Sequence, residues 1–194
     1  MEKLDNYKKE KLTINLGWAY IFGILILIPI ALIFGLPYYM LWMDSIDVKN
    51  ILYDIAPDDV AHSDIFVFVI LILGIVIHEL IHGATWSMFA KHGFKSIKFG
   101  ILWGKLTPYC HCEEPLMVKH YIMGAITPAI ILGFIPSILA ILIGDLRILI
   151  FGMFFIMAAG GDFLIINLIR KENSDDLIQD HPSEAGCYIY RKID

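Results

Sequence analysis

Four stretches of this chain are longer and more apolar than the helices of a soluble domain. Gly17 to Met43 has 27 residues and no charge. Ile65 to Ala90 carries only His78, Glu79 and His82 as ionisable groups, Tyr121 to Gly144 has no charged residue, and Ile148 to Ile169 holds the single acid Asp162. Each exceeds the roughly 18 residues that mark a bilayer-spanning helix, whereas the apolar core of a signal peptide has only about 7–15. The first run is therefore expected to remain as a helix. At about 1.5 Å per residue it is near 40 Å long, so it must tilt or reach into the headgroups. Trp18 and Tyr20 at one end, with Tyr38, Tyr39 and Trp42 at the other, suit the two interfacial belts.

The expected fold is an all-α polytopic membrane protein with four transmembrane helices and a small cytoplasmic β-hairpin between helices two and three. The spans cover about 17–43, 65–90, 121–144 and 148–169, with a cytoplasmic tail over 170–194, in one membrane-embedded domain over 1–194. The lipid bilayer is the first partner this implies. Composition agrees: 58% of residues are apolar and the mean hydropathy is +0.68, where a soluble domain is about 45–50% apolar. With 18% charged residues and a net charge of −5, neither a disordered chain nor a nucleic-acid partner is expected. Three cysteines, Cys110, Cys112 and Cys187, are too few for a disulfide scaffold.

Thirteen of the fifteen basic residues fall before the first run, between the second and third, or after the fourth; only Lys49 and Arg147 lie on the other side. Both termini are thus expected in the cytoplasm. Asp44 to Asp64 contains six aspartates, with Val48, Ile51, Leu52 and Ile55 at helical spacing, which suggests a short amphipathic helix on the outer surface. Lys91 to His120 alternates around Ile97, Phe99 and Ile101, has a turn signal at Gly104-Lys105 and continues over Leu106 to Cys112, which predicts the hairpin.

The chemistry concentrates in the second run, where His78-Glu79-Leu80-Ile81-His82 forms the pattern H-E-x-x-H. On a helix the two imidazoles lie about 40° apart and share a face, so both can bind one metal. Glu79 lies about 100° around from His78, placed to act on water beside that metal. An acid at the centre of a bilayer costs about 2.5–3.5 kcal/mol even on lenient insertion scales, so a compensating partner is required. Satisfied core histidines beside a protonated glutamate are the plainer alternative.

A catalytic zinc needs a third protein ligand and leaves a fourth position open. Asp162 is the sole acid in any other run, and it lies as many residues from Ile148 as Glu79 lies from Ile65, about 21 Å along each helix. Zinc with two neutral imidazoles and the carboxylates of Asp162 and Glu79 is net neutral, a tolerable burden in low dielectric. Ala158-Ala159-Gly160-Gly161 let a neighbouring helix approach closely enough for a short aspartate to reach across, though ordinary small-residue packing explains them too. The cofactor expected is Zn²⁺, held by His78, His82 and Asp162, with Glu79 catalytic.

Weaker candidates are Asn167, five residues after Asp162, and Cys110-His111-Cys112, for which strand alternation is the simpler account than a second metal site. Pro128 and Pro136 are expected to kink the third helix or free backbone carbonyls. His92 and His120 are read as interfacial residues.

Over Ile65 to Ile169 the sequence resembles the site-2 protease-like intramembrane zinc metalloproteases, and in particular the small bacterial zincin peptidase group. The likeness rests on His78-Glu79-x-x-His82 within a spanning helix, the lysine-bearing hairpin segment after it, the proline-containing third helix and the intramembrane Asp162. The resemblance implies His78, His82 and Asp162 as zinc ligands, Glu79 as the catalytic glutamate, and a bacterial cell membrane as the location. The chain departs from the site-2 pattern in having Gly160-Gly161 before Asp162 and Phe163 after it, where an upstream Asn-Pro and then Asp-Gly are typical.

The expected activity is zinc-dependent endopeptidase cleavage in or near the membrane, with a membrane protein or peptide as substrate. A metal-binding membrane protein without proteolysis, a carrier or a pseudoenzyme, is the alternative. Carriage needs ligands but no acid beside them, so Glu79 discriminates between the two. A purely structural subunit would leave all four intramembrane polar groups unexplained.

Overall fold

Helix, strand and turn are read from a computed structural model, which describes residues 6–45, 60–102, 107–181 and 185–193. The first apolar run is helical but interrupted. Leu16–Leu25 (α1) and Leu27–Ile30 (α2) are parted by a turn at Ile26, and a π-helical turn at Ala31–Gly35 separates α2 from Leu36–Trp42 (α3). The interruption follows Pro29, which cannot donate to the helical ladder. Asn15 caps α1, its side chain accepting from Trp18 N at 3.2 Å.

Val60–Ser87 (α4) is continuous and carries the H-E-x-x-H residues. The third run divides into Val118–Pro128 (α5) and Ile135–Ile143 (α6), with a π-helical segment at Ala129–Phe134 directly after Pro128. Gly144 ends α6 in the left-handed conformation, with φ 76°, which glycine adopts without steric cost. Two aromatic side chains assigned to the interfacial belt close this end instead. Tyr38 donates its hydroxyl to Gly144 O at 2.8 Å, and Trp42 Nε1 donates to Ile141 O at 2.9 Å. They satisfy carbonyls that the terminating helix leaves without partners. Trp18 and Tyr39 are exposed, as a belt position requires.

The fourth run corrects the expectation of one straight helix over 148–169. It consists of Leu146–Ala158 (α7) and Gly160–Ile169 (α8), bent by 42° at Ala159. Among the described residues, three helical stretches, Gly17–Trp42, Phe68–Ser87 and Val118–Ile143, are long and apolar enough to cross a membrane, and the bent pair makes a fourth if it counts as one span. Nor is Gly160-Gly161 a site of close helix approach, since a Cβ at either position meets nothing within 4 Å. The close contacts lie elsewhere: a Cβ on Gly74 would lie 2.3 Å from Phe155, and one on Gly124 2.0 Å from Trp86.

The all-α expectation is overturned more broadly. Among the described residues, six strands form two antiparallel sheets. Ile97–Leu102 (β2) pairs with Thr107–Cys112 (β3) as the expected hairpin, in the register Ile97↔Cys112 to Leu102↔Thr107; its turn at Gly104-Lys105 lies outside the described residues. The second sheet was not foreseen. It runs β1-β6-β5-β4, built from Tyr7–Thr13 (β1), Leu116–Met117 (β4), Leu177–Asp180 (β5) and Gly186–Lys192 (β6). Thus the two terminal segments pair directly, Tyr7 opposite Lys192 through Thr13 opposite Gly186. Arg191 fastens the sheet further by bonding to both Glu172 and Glu10. The amphipathic helix expected around Val48, Ile51, Leu52 and Ile55 lies outside the described residues.

One buried cluster joins Trp86, Tyr121 and Ile169 to strand residues Ile97, Cys110, Cys112, Ile178, Cys187 and Ile189. A second gathers Ile30, Phe34 and Tyr38 against Ala140, Leu149 and Ile156. The C-terminal part of α4, bearing the histidines, lies against the first cluster through Trp86, which stacks on His82.

Candidate metal centre

His78 and His82 stand one turn apart on α4 and are both buried. Their rings meet edge to face, with centroids 4.8 Å apart. Phe155 of α7 backs His78 in a stacked arrangement at 6.4 Å, and Trp86 stacks on His82 at 5.0 Å and 15°. The bend at Ala159 sets Asp162 in the first turn of α8, where the partial positive charge of a helix N-terminus favours a carboxylate.

The three side chains meet at their ligand atoms. His78 Nε2 and His82 Nε2 are 3.2 Å apart; Asp162 Oδ2 is 3.3 Å from the first and Oδ1 is 3.3 Å from the second. His82 Nδ1 donates to the Gly124 carbonyl at 2.9 Å, so in the neutral ring Nε2 carries a lone pair. A lone pair facing a carboxylate oxygen at this distance is repulsive unless a proton or cation lies between them. Ligand atoms around tetrahedral zinc, with bonds of about 2.0–2.1 Å, lie about 3.3–3.4 Å from one another. The spacing and the donor set therefore fit a zinc ion, and His82 already has the orienting bond that ligating histidines make through the other ring nitrogen. His78 differs: its Nδ1 is buried without a hydrogen-bond partner among the described residues.

Glu79 is half-buried, with no hydrogen-bond partner among the described residues, and His78, His82 and Asp162 all act on it electrostatically. A carboxylate without fixed partners beside two imidazoles is free to handle a proton. The other candidates stay apart from this group. Asn167 is exposed on α8, and His120 stacks on Phe89 at 4.0 Å. His92 bonds to Glu114, which also accepts from Ser96 Oγ at 2.6 Å and Lys91 N at 2.7 Å and is held down to about pKa 2 by these donors, Ser96 foremost.

Cys110 and Cys112 point inward from β3 and are buried, whereas His111 lies on the opposite face. Burial raises the Cys112 thiol to about 11 and pushes Cys110 higher still, and among the described residues the pair belongs to no metal-ligand cluster. His111 instead lines a cavity of about 440 Å³ between the hairpin and the larger sheet, with Lys98, Tyr109, Gln179, Asp180 and Tyr188.

Sequence reading missed the groups that support the site. Trp86 Nε1 donates to Tyr121 O at 3.0 Å, the Tyr121 hydroxyl bonds to Asp180, and Asp180 accepts from Cys112 N at 3.1 Å. Burial raises the Asp180 carboxyl, while the Tyr121 hydroxyl opposes the shift. The available signal was Trp86, four residues after His82 on the same helix face.

No curated protein and no solved structure matches the chain. A family model described as "Putative zincin peptidase" matches residues 71–177, more than half of the 194 and including both the H-E-x-x-H residues and Asp162. Zincins take their name from zinc, the ion whose ligand spacing the cluster matches, and by the extent of that match the chain belongs to this family.

Proposed function

We propose that this chain is a zinc endopeptidase of the membrane, in which His78, His82 and Asp162 hold the metal and Glu79 is the general base. The observation that carries the reading is the meeting of two imidazole Nε2 atoms and one carboxylate at 3.2–3.3 Å. When bound, zinc supplies Lewis acidity, which in such sites lowers the pKa of water towards about 7 and polarises a carbonyl.

The protein side of the reaction follows from position. Glu79 takes a proton from the attacking water and returns it to the leaving amine, a role worth about 10²–10⁴ in rate. Phe155, stacked on His78, shields one face of that imidazole from water. A substrate helix must unwind before its carbonyls are accessible, and the outer edges of β2 and β3 offer backbone groups for the unwound stretch. Both termini and the two sheets lie on the cytoplasmic side, the side carrying thirteen of the fifteen basic residues.

Glu79 also weighs against a metal carrier. A carrier needs His78, His82 and Asp162, but gains nothing from an unpartnered acid one residue along the helix. The test is Glu79→Gln in membranes: zinc is retained while cleavage of a co-expressed membrane substrate falls at least a hundredfold. Normal cleavage by this variant would overturn the role given to Glu79.

A further inference from the structure

His82 is held by a carbonyl that an ordinary helix would not have free. The N–H of residue 128 would bond to the carbonyl of residue 124, but Pro128 has no N–H. The following N–H, that of Ala129, bonds to Ile126 O instead. The Gly124 carbonyl thus lacks the donor that an ordinary helix supplies four residues on, and it accepts the His82 Nδ1 proton at 2.9 Å. The same stretch of α5 fits around the neighbouring turn of α4. Trp86 Nε1 donates to Tyr121 O at 3.0 Å, and the absence of a Cβ at Gly124 makes room for the indole.

We propose that Pro128 is a positioning residue for the metal centre: by withholding the helical donor from the Gly124 carbonyl, it turns that carbonyl to His82 and fixes the ring with its proton on Nδ1 and Nε2 bare. Its consequence for metal binding rests on the zinc reading given above, whereas its effect on His82 exists in the metal-free protein. Pro128 is fully buried in the third helix, and with no N–H and an apolar ring it offers the centre neither a ligand nor a proton, so its action on His82 runs through the Gly124 carbonyl. A proline that served merely to bend the helix would predict something different. Alanine in its place, a better helix former, would then leave His82 unchanged.

The experiment compares wild type, Pro128→Ala and Pro136→Ala, each with ¹⁵N-labelled histidine in micelles. The His82 tautomer is read from nitrogen shifts without metal, and zinc affinity is then measured by titration against a chelator. Wild type and Pro136→Ala are expected to show one tautomer protonated on Nδ1. Pro128→Ala should show a mixture, with zinc affinity about tenfold to a hundredfold lower, the usual loss when an orienting partner is weakened. Unchanged tautomer and affinity in Pro128→Ala would overturn the proposal. So would a wild-type His82 protonated on Nε2, which decides the matter even if the variant does not fold. A wild type with the expected tautomer that takes up no zinc leaves the Pro128–Gly124–His82 link standing and overturns the metal reading instead.

Discussion

Gly74 lies one turn before His78 on α4, and both face the ring of Phe155. A Cβ added at Gly74 would lie 2.3 Å from Phe155 Cζ and 2.8 Å from Cε2. Ordinary carbon contacts are about 3.5–4.0 Å, so the ring must retreat by roughly 1 Å or more. It has little room, being fully buried with Phe151 and Phe154 at centroid distances of 4.7 and 5.2 Å and His78 at 6.4 Å. Gly74→Ala is therefore expected to cost about 1–3 kcal/mol, the range for overpacking a filled site. Phe155→Leu removes the ring atoms in conflict. The double variant should be more stable than the sum of the two singles by about 1 kcal/mol or more. Unfolding in mixed micelles with increasing SDS measures all four proteins. Zinc affinity in the same samples should fall in Gly74→Ala and partly recover in the double variant, because the displaced ring presses on His78. Additivity within about 0.3–0.5 kcal/mol would refute this packing of α7 against the ligand helix.

Two further predictions concern the sheet end of the protein. The Glu114 carboxyl lies near pKa 2 rather than 4.5, so its stabilisation is complete above about pH 4.5 and is lost as the pH falls towards 2. Because the side chain is a fifth exposed, solvent screening reduces this to about 1 kcal/mol; Glu114→Gln should flatten thermal stability over that range, and an unchanged pH profile would refute it. Burial places the Cys112 and Cys187 thiols at about 11 and 12 and Cys110 beyond them, so all three should resist maleimide at pH 7.5 until the protein unfolds. Rapid labelling of the folded protein would contradict their placement.

The H-E-x-x-H site was legible because a helical repeat is local: residues four apart share a face whatever the rest of the chain does. Asp162 was legible for a different reason, being the one acid in another apolar run. The larger sheet was not, because β1 finds its partner β6 at the opposite end of the chain. Tyr7–Thr13 reads as a basic flank, its lysines counting as topology signals, although Lys9 lies 3.7 Å over the Tyr188 ring. In β6, by contrast, Cys187-Tyr188-Ile189-Tyr190 carries strand-forming side chains that an all-helical expectation left unused. The break at Ala159 was hidden because small residues serve equally as packing surface and as a weak point in a helix. Pro128 was visible as a source of a free carbonyl, but which side chain would use it depended on how α4 and α5 cross.

In the proposed centre, two histidines of α4 and one aspartate of α8 hold a single zinc ion. Its most direct test is the metal content of the detergent-purified chain, prepared without chelators, beside Asp162→Ala. One zinc per wild-type chain is expected, with its loss, or an affinity lower by orders of magnitude, in the variant. A wild type that remains metal-free when zinc is supplied, or an Asp162→Ala variant that binds zinc as tightly as wild type, would contradict it.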